Sequence, residues 1–171
     1  TAEPNAKIRV QLDGVRARTR ADDSGHWMVD LPTDSVAPGG PHTLRVKSGK
    51  ERLEFTNVML GDVWVCSGQS NMQWAVKQAR DPEAEIAAAN YPNIRLFYVK
   101  RTVSDTPLTE VPVQAGWSPC TPESVENFSA VAYYFGRRLH SVRPNVPVGL
   151  INTSWGGTPA EAWTSMEKLQ S

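Results

Sequence analysis

The stretch that most constrains the fold is residues 62–74, Asp-Val-Trp-Val-Cys-Ser-Gly-Gln-Ser-Asn-Met-Gln-Trp. Val63 to Cys66 form an unbroken apolar run, not an alternating one. That pattern predicts a strand buried on both faces, as in a parallel sheet. Small and polar residues follow from Ser67 to Asn71, and then a stretch able to be helical, Met72 to Ala79. A serine at a strand-to-helix turn stands clear of the sheet with its hydroxyl exposed and its N–H at a helix N-terminus. Both features suit a nucleophile, because attack on a carbonyl creates an oxyanion that needs N–H donors close by. Ser70 is the leading candidate.

The chain on either side has two characters. Before residue 59 it reads as β structure: Ile8, Val10 and Leu12 alternate with polar residues, and Asp13-Gly14 is a two-residue hairpin signal. Val15 to Arg20 returns along that strand. Turns at 22–25 and 38–41 bound further short strands at His26–Leu31, Thr43–Val46 and Leu53–Phe55. Turn signals at this spacing predict a sandwich-like or barrel module over residues 1–58, lacking strands at its N-terminal side. From residue 59 the period changes. Asp81-Pro82 is an N-cap and first-position pair for a helix to about Asn90, and Ile94 to Val99 is a strand. Residues 102–127, rich in Pro, Thr, Ser and Glu, read as a long surface excursion anchored by Trp117. Ser129 to Val142 is the clearest helix, with Val131, Tyr134, Phe135, Leu139 and Val142 on one face. Val146 to Ile151 is a second buried-type strand. This order of elements predicts an α/β layer over 59–171 with a mostly parallel sheet.

A second strand-turn-helix motif follows at residues 152–163, Asn-Thr-Ser-Trp-Gly-Gly-Thr-Pro-Ala-Glu-Ala-Trp. Thr158 to Glu161 has the form of a capping box with proline at the first helical position. That box is the first reading of Glu161. Gly156-Gly157 permits a turn that aims backbone N–H groups into a pocket. Ligands of open α/β sheets bind beyond the carboxyl ends of the strands, so Ser70 and the two glycines are expected to share one site. Ser70 attacks, and the N–H groups of Ser70 and of Gly156 or Gly157 hold the oxyanion. Trp155 either packs or lines the pocket.

Composition excludes several other functions. Lysine plus arginine number 18 and aspartate plus glutamate 18, so no basic excess is available to track nucleic acid. No apolar stretch approaches the length of a membrane span. Three scattered histidines and two distant cysteines, Cys66 and Cys120, offer no zinc-like ligand spacing, and no cofactor is expected. Neither nucleotide-binding glycine pattern is present. Cys66 reads as a small core hydrophobe.

Gly68-Gln69-Ser70-Asn71-Met72, together with Ser154-Trp155-Gly156-Gly157-Thr158 and Glu161-Ala162-Trp163, resembles the sialate O-acetylesterases. These are carbohydrate acetyl esterases of the SGNH/GDSL type, and the resemblance covers most of the chain. It implies a flavodoxin-like sheet, Ser70 as nucleophile, one of the two glycines as oxyanion donor, and Gln69 and Asn71 in supporting roles. It implies an O-acetylated sugar as substrate, and secretion or a periplasmic or lysosomal location. The family's later Gln-Gly-Glu and Asp-x-x-His segments have no counterpart after the serine. Asp23-Ser24-Gly25-His26 precedes it, inside a turn. The base is therefore expected beyond residue 171, with the C-terminal remainder of the protein as the covering partner. An acetylxylan-type esterase and a non-catalytic carbohydrate-binding module, the latter drawing on six tryptophans, are the competing readings.

Overall fold

The structure, a computed structural model, describes residues 1–170. The chain divides into two compact units, Thr1–Gly61 and Asp62–Ser171.

The first unit is one antiparallel sheet in the order β2-β1-β3-β4, from β1 Lys7–Leu12, β2 Val15–Arg20, β3 Gly39–Ser48 and β4 Glu51–Leu60. The Asp13-Gly14 hairpin forms as the dipeptide predicts, pairing Leu12 with Val15, and Asp13 takes a positive φ of 47°. Ile8, Val10 and Leu12 point to one side and are buried. The described residues of the expected sandwich-like module build a single sheet, and a second layer is not among them. His26–Leu31 joins no ladder, so no second layer begins there.

The second unit is a mixed α/β layer. Its sheet runs β5-β8-β6-β7, built from β5 Asp62–Cys66, β6 Tyr91–Val99, β7 Val113–Cys120 and β8 Val148–Asn152. β5, β8 and β6 are parallel, and β7 turns back antiparallel on β6. The helices are α1 Ser70–Gln73, α2 Pro82–Ala88, α3 Pro122–Val125, α4 Ala130–Val142 and α5 Met166–Leu169. The core gathers Ile94, Leu96, Val148 and Leu150 from the strands with Val76, Val125, Phe128 and Tyr133 from the helical side.

Four local expectations are overturned here. β5 is a sheet edge, not a doubly buried strand: it pairs with β8 alone among the described residues, and Val63 and Val65, on the face opposite Trp64, are 60% and 68% exposed because little covers that face. The helix after Ser70 is a single turn; Trp74 ends it, and Ala75 bridges to Ser129 instead of continuing the helix. The 102–127 excursion holds β7 and α3, and Trp117 lies half-exposed on Phe97 with ring centroids 5.2 Å apart. Asp81 makes no side-chain cap, since it sits in the left-handed region at φ 50°.

α4 forms where expected, and the Ser129 hydroxyl caps it by accepting from Ala132 N–H at 3.2 Å. Its buried face is nevertheless rotated from the apolar stripe. Ala130, Ala132, Tyr133 and Gly136 are buried, whereas Val131, Phe135 and Val142 are largely exposed. Close approach is the cause: a Cβ at Gly136 would lie 2.6 Å from Leu150 Cδ1, so small residues must face the sheet. Phe135 instead packs edge-on against Trp64 at 5.0 Å. α2 is tied to α4 because Tyr133 Oη and Arg137 both donate to Glu85 Oε1.

Cys66 and Cys120 are free and buried. Burial pushes the Cys120 thiol up to about 12 and raises that of Cys66 as well. Both therefore stay protonated across the ordinary pH range, where only a thiolate reacts. Thiol titration of the native protein at about pH 8 is expected to register neither cysteine, and both after denaturation. Rapid native labelling of either would contradict this packing.

Candidate active site

Parallel pairing of β5 with β8 sets Cys66 opposite Asn152. The turns that follow the two strands therefore leave the same edge side by side. They are stitched together by backbone: Thr153 N–H donates to Cys66 O at 3.1 Å and Trp155 N–H to Gly68 O at 2.9 Å. The Gln69 carboxamide adds a third tie by donating to Thr158 O. The two sequence motifs thus meet.

Ser70 opens α1 and is exposed. Neither its hydroxyl nor its N–H has a partner among the described residues. The segment after it is held firmly. Met72 receives a hydrogen bond from the buried Ser129 hydroxyl at 3.4 Å on its sulfur, and Ala130 N–H donates to Trp74 O at 2.8 Å. Val76 N–H donates to Phe128 O at 3.0 Å. Such fixing suits a nucleophile that must be presented in one geometry.

Gly156 lies directly against Ser70. A Cβ there would stand 3.1 Å from Ser70 Cα, 3.3 Å from Ser70 Cβ and 3.0 Å from Gln73 Oε1. Glycine is required for that approach. The Gly156 N–H is already engaged, donating to Gln73 Oε1 at 2.6 Å. Gly157, at φ +78°, is the left-handed residue of the turn, and its N–H is unpartnered among the described residues. Behind the turn Asn152 is fully buried, and its Oδ1 accepts from Ser154 N–H at 2.9 Å and Ser154 Oγ at 2.6 Å. Arg101 Nε donates to Ser154 O at 3.2 Å.

The other anticipated residues fare differently. Asn71 is exposed with no hydrogen bond among the described residues. Trp155 is half-buried and its carbonyl accepts from Thr158 Oγ1 at 2.8 Å. The capping box is not made: Thr158 Oγ1 serves Trp155 and Trp163 instead, and Ala160–Trp163 is a 3-10 turn beginning after Pro159. Gln73 and Asn152 were not singled out from sequence. For Gln73 the signal was its spacing of three from Ser70, which stacks the two on one helix face. Cys66, at the foot of the turn, is a protonated thiol by burial and no rival nucleophile.

No described histidine bonds Ser70. His26 Nδ1 pairs with Ser24 Oγ at 2.9 Å and His42 Nδ1 with Asp13 Oδ2 at 2.5 Å, both within the first unit. His140 packs edge-on against Tyr91 at 6.0 Å. The Asp-x-x-His at 23–26 is a turn in which Ser24 N–H, Ser24 Oγ and His26 N–H all donate to Asp22, holding its carboxyl below the ordinary range.

Residues 60–170 match the family model described as carbohydrate esterase, sialic acid-specific acetylesterase. The chain belongs to this family. It is 40% identical over 158 residues to a sialate O-acetylesterase of Pongo abelii, covering 86% of this chain and 30% of that protein. The Homo sapiens sialate O-acetylesterase is 39% identical over the same length and coverage. Among solved structures, a carbohydrate acetylesterase from Xanthomonas citri matches with a TM-score of 0.90 at 39% identity, over 99% of this chain and 38% of its own. The chain thus spans about 30% of the length of these curated sialate O-acetylesterases.

The packing at Gly156 makes a direct prediction for a member of this family. A methyl group at Gly156 must move Ser70 or the Gln73 carboxamide by a few tenths of an ångström, so Gly156→Ala should lower the melting temperature by a few degrees. An unchanged melting temperature would show that the contact tolerates a methyl group.

Proposed function

We propose that the protein is a serine esterase that removes O-acetyl groups from sialic acid or a related acetylated sugar through an acetyl-enzyme on Ser70. The observation that carries this reading is the unpartnered Ser70 hydroxyl, held on a fixed turn against Gly156. As Ser70 Oγ bonds to the acetyl carbon, its proton passes to a base and the carbonyl electron pair moves onto oxygen. The Ser70 N–H, with a glycine N–H from the 156–157 turn, supports that oxyanion. Collapse expels the sugar oxygen, which takes up the proton, and water then releases acetate by the same steps.

The base is a histidine held by an aspartate, both supplied from sequence beyond residue 171. Two observations support this. No described histidine hydrogen-bonds Ser70, and β5 ends the sheet with Val63 and Val65 bare. A trough of about 510 Å³ lined by Val65, Phe97, Val99, Leu108, Trp117 and Ile151 extends that uncovered apolar face. The C-terminal remainder of the protein is the natural cover for it. Gln69 and Asn71 support the nucleophile turn, and Trp155 flanks the pocket. No cofactor, nucleic acid or membrane takes part, and the site of action is secretory, periplasmic or lysosomal. No described helix is long and apolar enough to cross a membrane.

The deciding experiment compares full-length protein and its Ser70→Ala variant on O-acetylated sialic acid and on acetylated xylan. Loss of the nucleophile should lower kcat by at least about 1,000-fold on whichever substrate is used. Sialic acid turnover favours the primary reading, and xylan turnover alone favours the acetylxylan-type alternative. Sugar binding with no hydrolysis in either protein would leave a carbohydrate-binding module as the function.

A further inference from the structure

We propose that one face of the first unit's sheet, the face opposite Ile8, Val10 and Leu12, binds a chain of carboxylate-bearing sugars. The choice of sugar rests on the deacetylase reading above, whereas the positive charge that attracts it does not.

The neutral total of the chain conceals a strong local segregation. Residues 1–61 carry nine lysines and arginines and eight aspartates and glutamates. Eight of the nine cations fall on this one face, with Glu54 as the one acidic residue paired among them. The period of two along a strand produces the segregation. Lys7 and Arg9 flank the buried Ile8 on β1, and Arg16, Arg18 and Arg20 alternate along β2. Directly paired residues of antiparallel neighbours share a face, so register decides which cations meet. Arg18 pairs with Arg9, Arg9 with Lys47, and Lys47 with Arg52. One row across all four strands is therefore made of cations alone. The row on one side of it holds Arg16, Gln11, Arg45 and Glu54, and the row on the other holds Arg20 and Lys7.

A merely solvated face intersperses both signs, because like charges on directly opposed positions repel. Here the repulsion is left standing. Among the described residues the one ion pair on this face is Arg45 with Glu54, at 2.7 Å. Arg20 donates to the Asn5 carbonyl at 2.7 Å, and the side chains of the other six cations have no partner among the described residues. All eight are exposed. A trough of about 490 Å³ lies over the two longer rows. With strands about 4.8 Å apart, the all-cation row is about 14 Å long, and successive rows are about 7 Å apart. Such a grid suits several linked anionic groups better than a single ion.

Charge complementarity makes the occupant a polyanion, and the residue types narrow it. Arginine outnumbers lysine six to two on this face, and its planar fork matches a carboxylate through two parallel hydrogen bonds. Arg45 on Glu54 is an arginine–carboxylate contact already made there. The trough has no aromatic ring in its lining on which nucleic-acid bases could stack. Its apolar neighbours Val10 and Val46 pair on the opposite face, so nothing here enters a bilayer. A glycan with a carboxylate on each sugar fits an open, flat face, and the sialic acid of the proposed reaction is such a sugar. Holding a polymer in this way raises the local concentration of substrate independently of the reacting ester.

The test is binding of full-length protein to polysialic acid that carries no O-acetyl groups, at about 50 and about 200 mM NaCl. Wild type should bind, and its affinity should fall about tenfold or more at the higher salt. Arg9→Glu with Lys47→Glu reverses the centre of the all-cation row and makes its signs mixed, and it should weaken binding about tenfold or more at the lower salt. Lys77→Glu with Arg138→Glu reverses as much charge in the second unit and should bind as wild type does. Melting curves accompany each, and if the first pair does not fold, Arg18→Glu alone takes its place. Wild-type affinity after reversal of the row overturns the proposal, as does equal weakening by both pairs. Tighter binding to heparin, to phosphatidylserine vesicles or to duplex DNA at the same salt gives the face a sulfated, lipid or nucleic-acid occupant and overturns it too. Acetate release from monomeric O-acetylated sialic acid keeps the two readings apart. It should survive Arg9→Glu with Lys47→Glu and vanish in Ser70→Ala, which should still bind the polymer. Polymer binding without acetate release in wild type removes the deacetylase reading and leaves the face, whereas acetate release without polymer binding removes the face alone.

Discussion

The pairing of β5 with β8 in parallel is the constraint on which the rest of the second unit depends. Parallel neighbours end on the same side of a sheet, so any turn each strand carries is delivered to one place. With Cys66 set opposite Asn152, the serine turn and the glycine turn need only a few backbone hydrogen bonds to lock together. An antiparallel pairing of the same two strands would put these turns at opposite ends of the sheet. A one-residue slip would be nearly as damaging, because it would turn every side chain of β5 to the other face.

Small residues set how closely the layers approach. Gly136 brings α4 against Leu150, Gly149 lies under the Trp117 ring, and Gly156 sits on Ser70. At Gly149 and Gly156 a Cβ would push its neighbours by a few tenths of an ångström, and at Gly136 the Leu150 side chain would have to move. The cost falls on neighbours displaced from contact, since interiors are packed as densely as organic crystals. The polar groups trapped by this closeness are largely satisfied within it. Glu85 receives both Tyr133 and Arg137, and burial, followed by the hydrogen bond to Glu85 and its negative charge, drives the Tyr133 phenol pKa upward. That network links α2 and α4 behind the sheet and leaves the mouth of the site free of it.

Sequence periodicity and motif chemistry captured the elements that local rules govern. The Asp13-Gly14 hairpin, the span of α4 with its Ser129 cap, the strand before Ser70 and the meeting of the two motifs were all readable. What periodicity missed was decided by partners distant in sequence. The apolar run of β5 looked doubly buried, yet burial depends on what lies beside a strand, and here one neighbour is present. The helix after Ser70 was extended too far because nothing local reveals that Ala75 will bridge to Ser129. The α4 stripe pointed to its larger side chains, whereas proximity to Leu150 selected the smaller ones. Gln73 was passed over since a glutamine on a short polar turn has no local signature, and its meaning comes from Gly156, 83 residues away.

The Ser70 turn is well formed although one face of the neighbouring β5 strand is exposed. Everything that fixes Ser70 lies on the α4 side or at the strand ends: Ser129, Ala130, Phe128 and the 152–157 turn. Nothing that fixes it comes from the bare side, where Val63 and Val65 stand more than half exposed. Full burial of each valine would contribute about 1.5–3 kcal/mol, so a segment covering this face gains stabilisation independent of any catalytic contact. The same docking would bring new side chains to the sheet beside the β5 end.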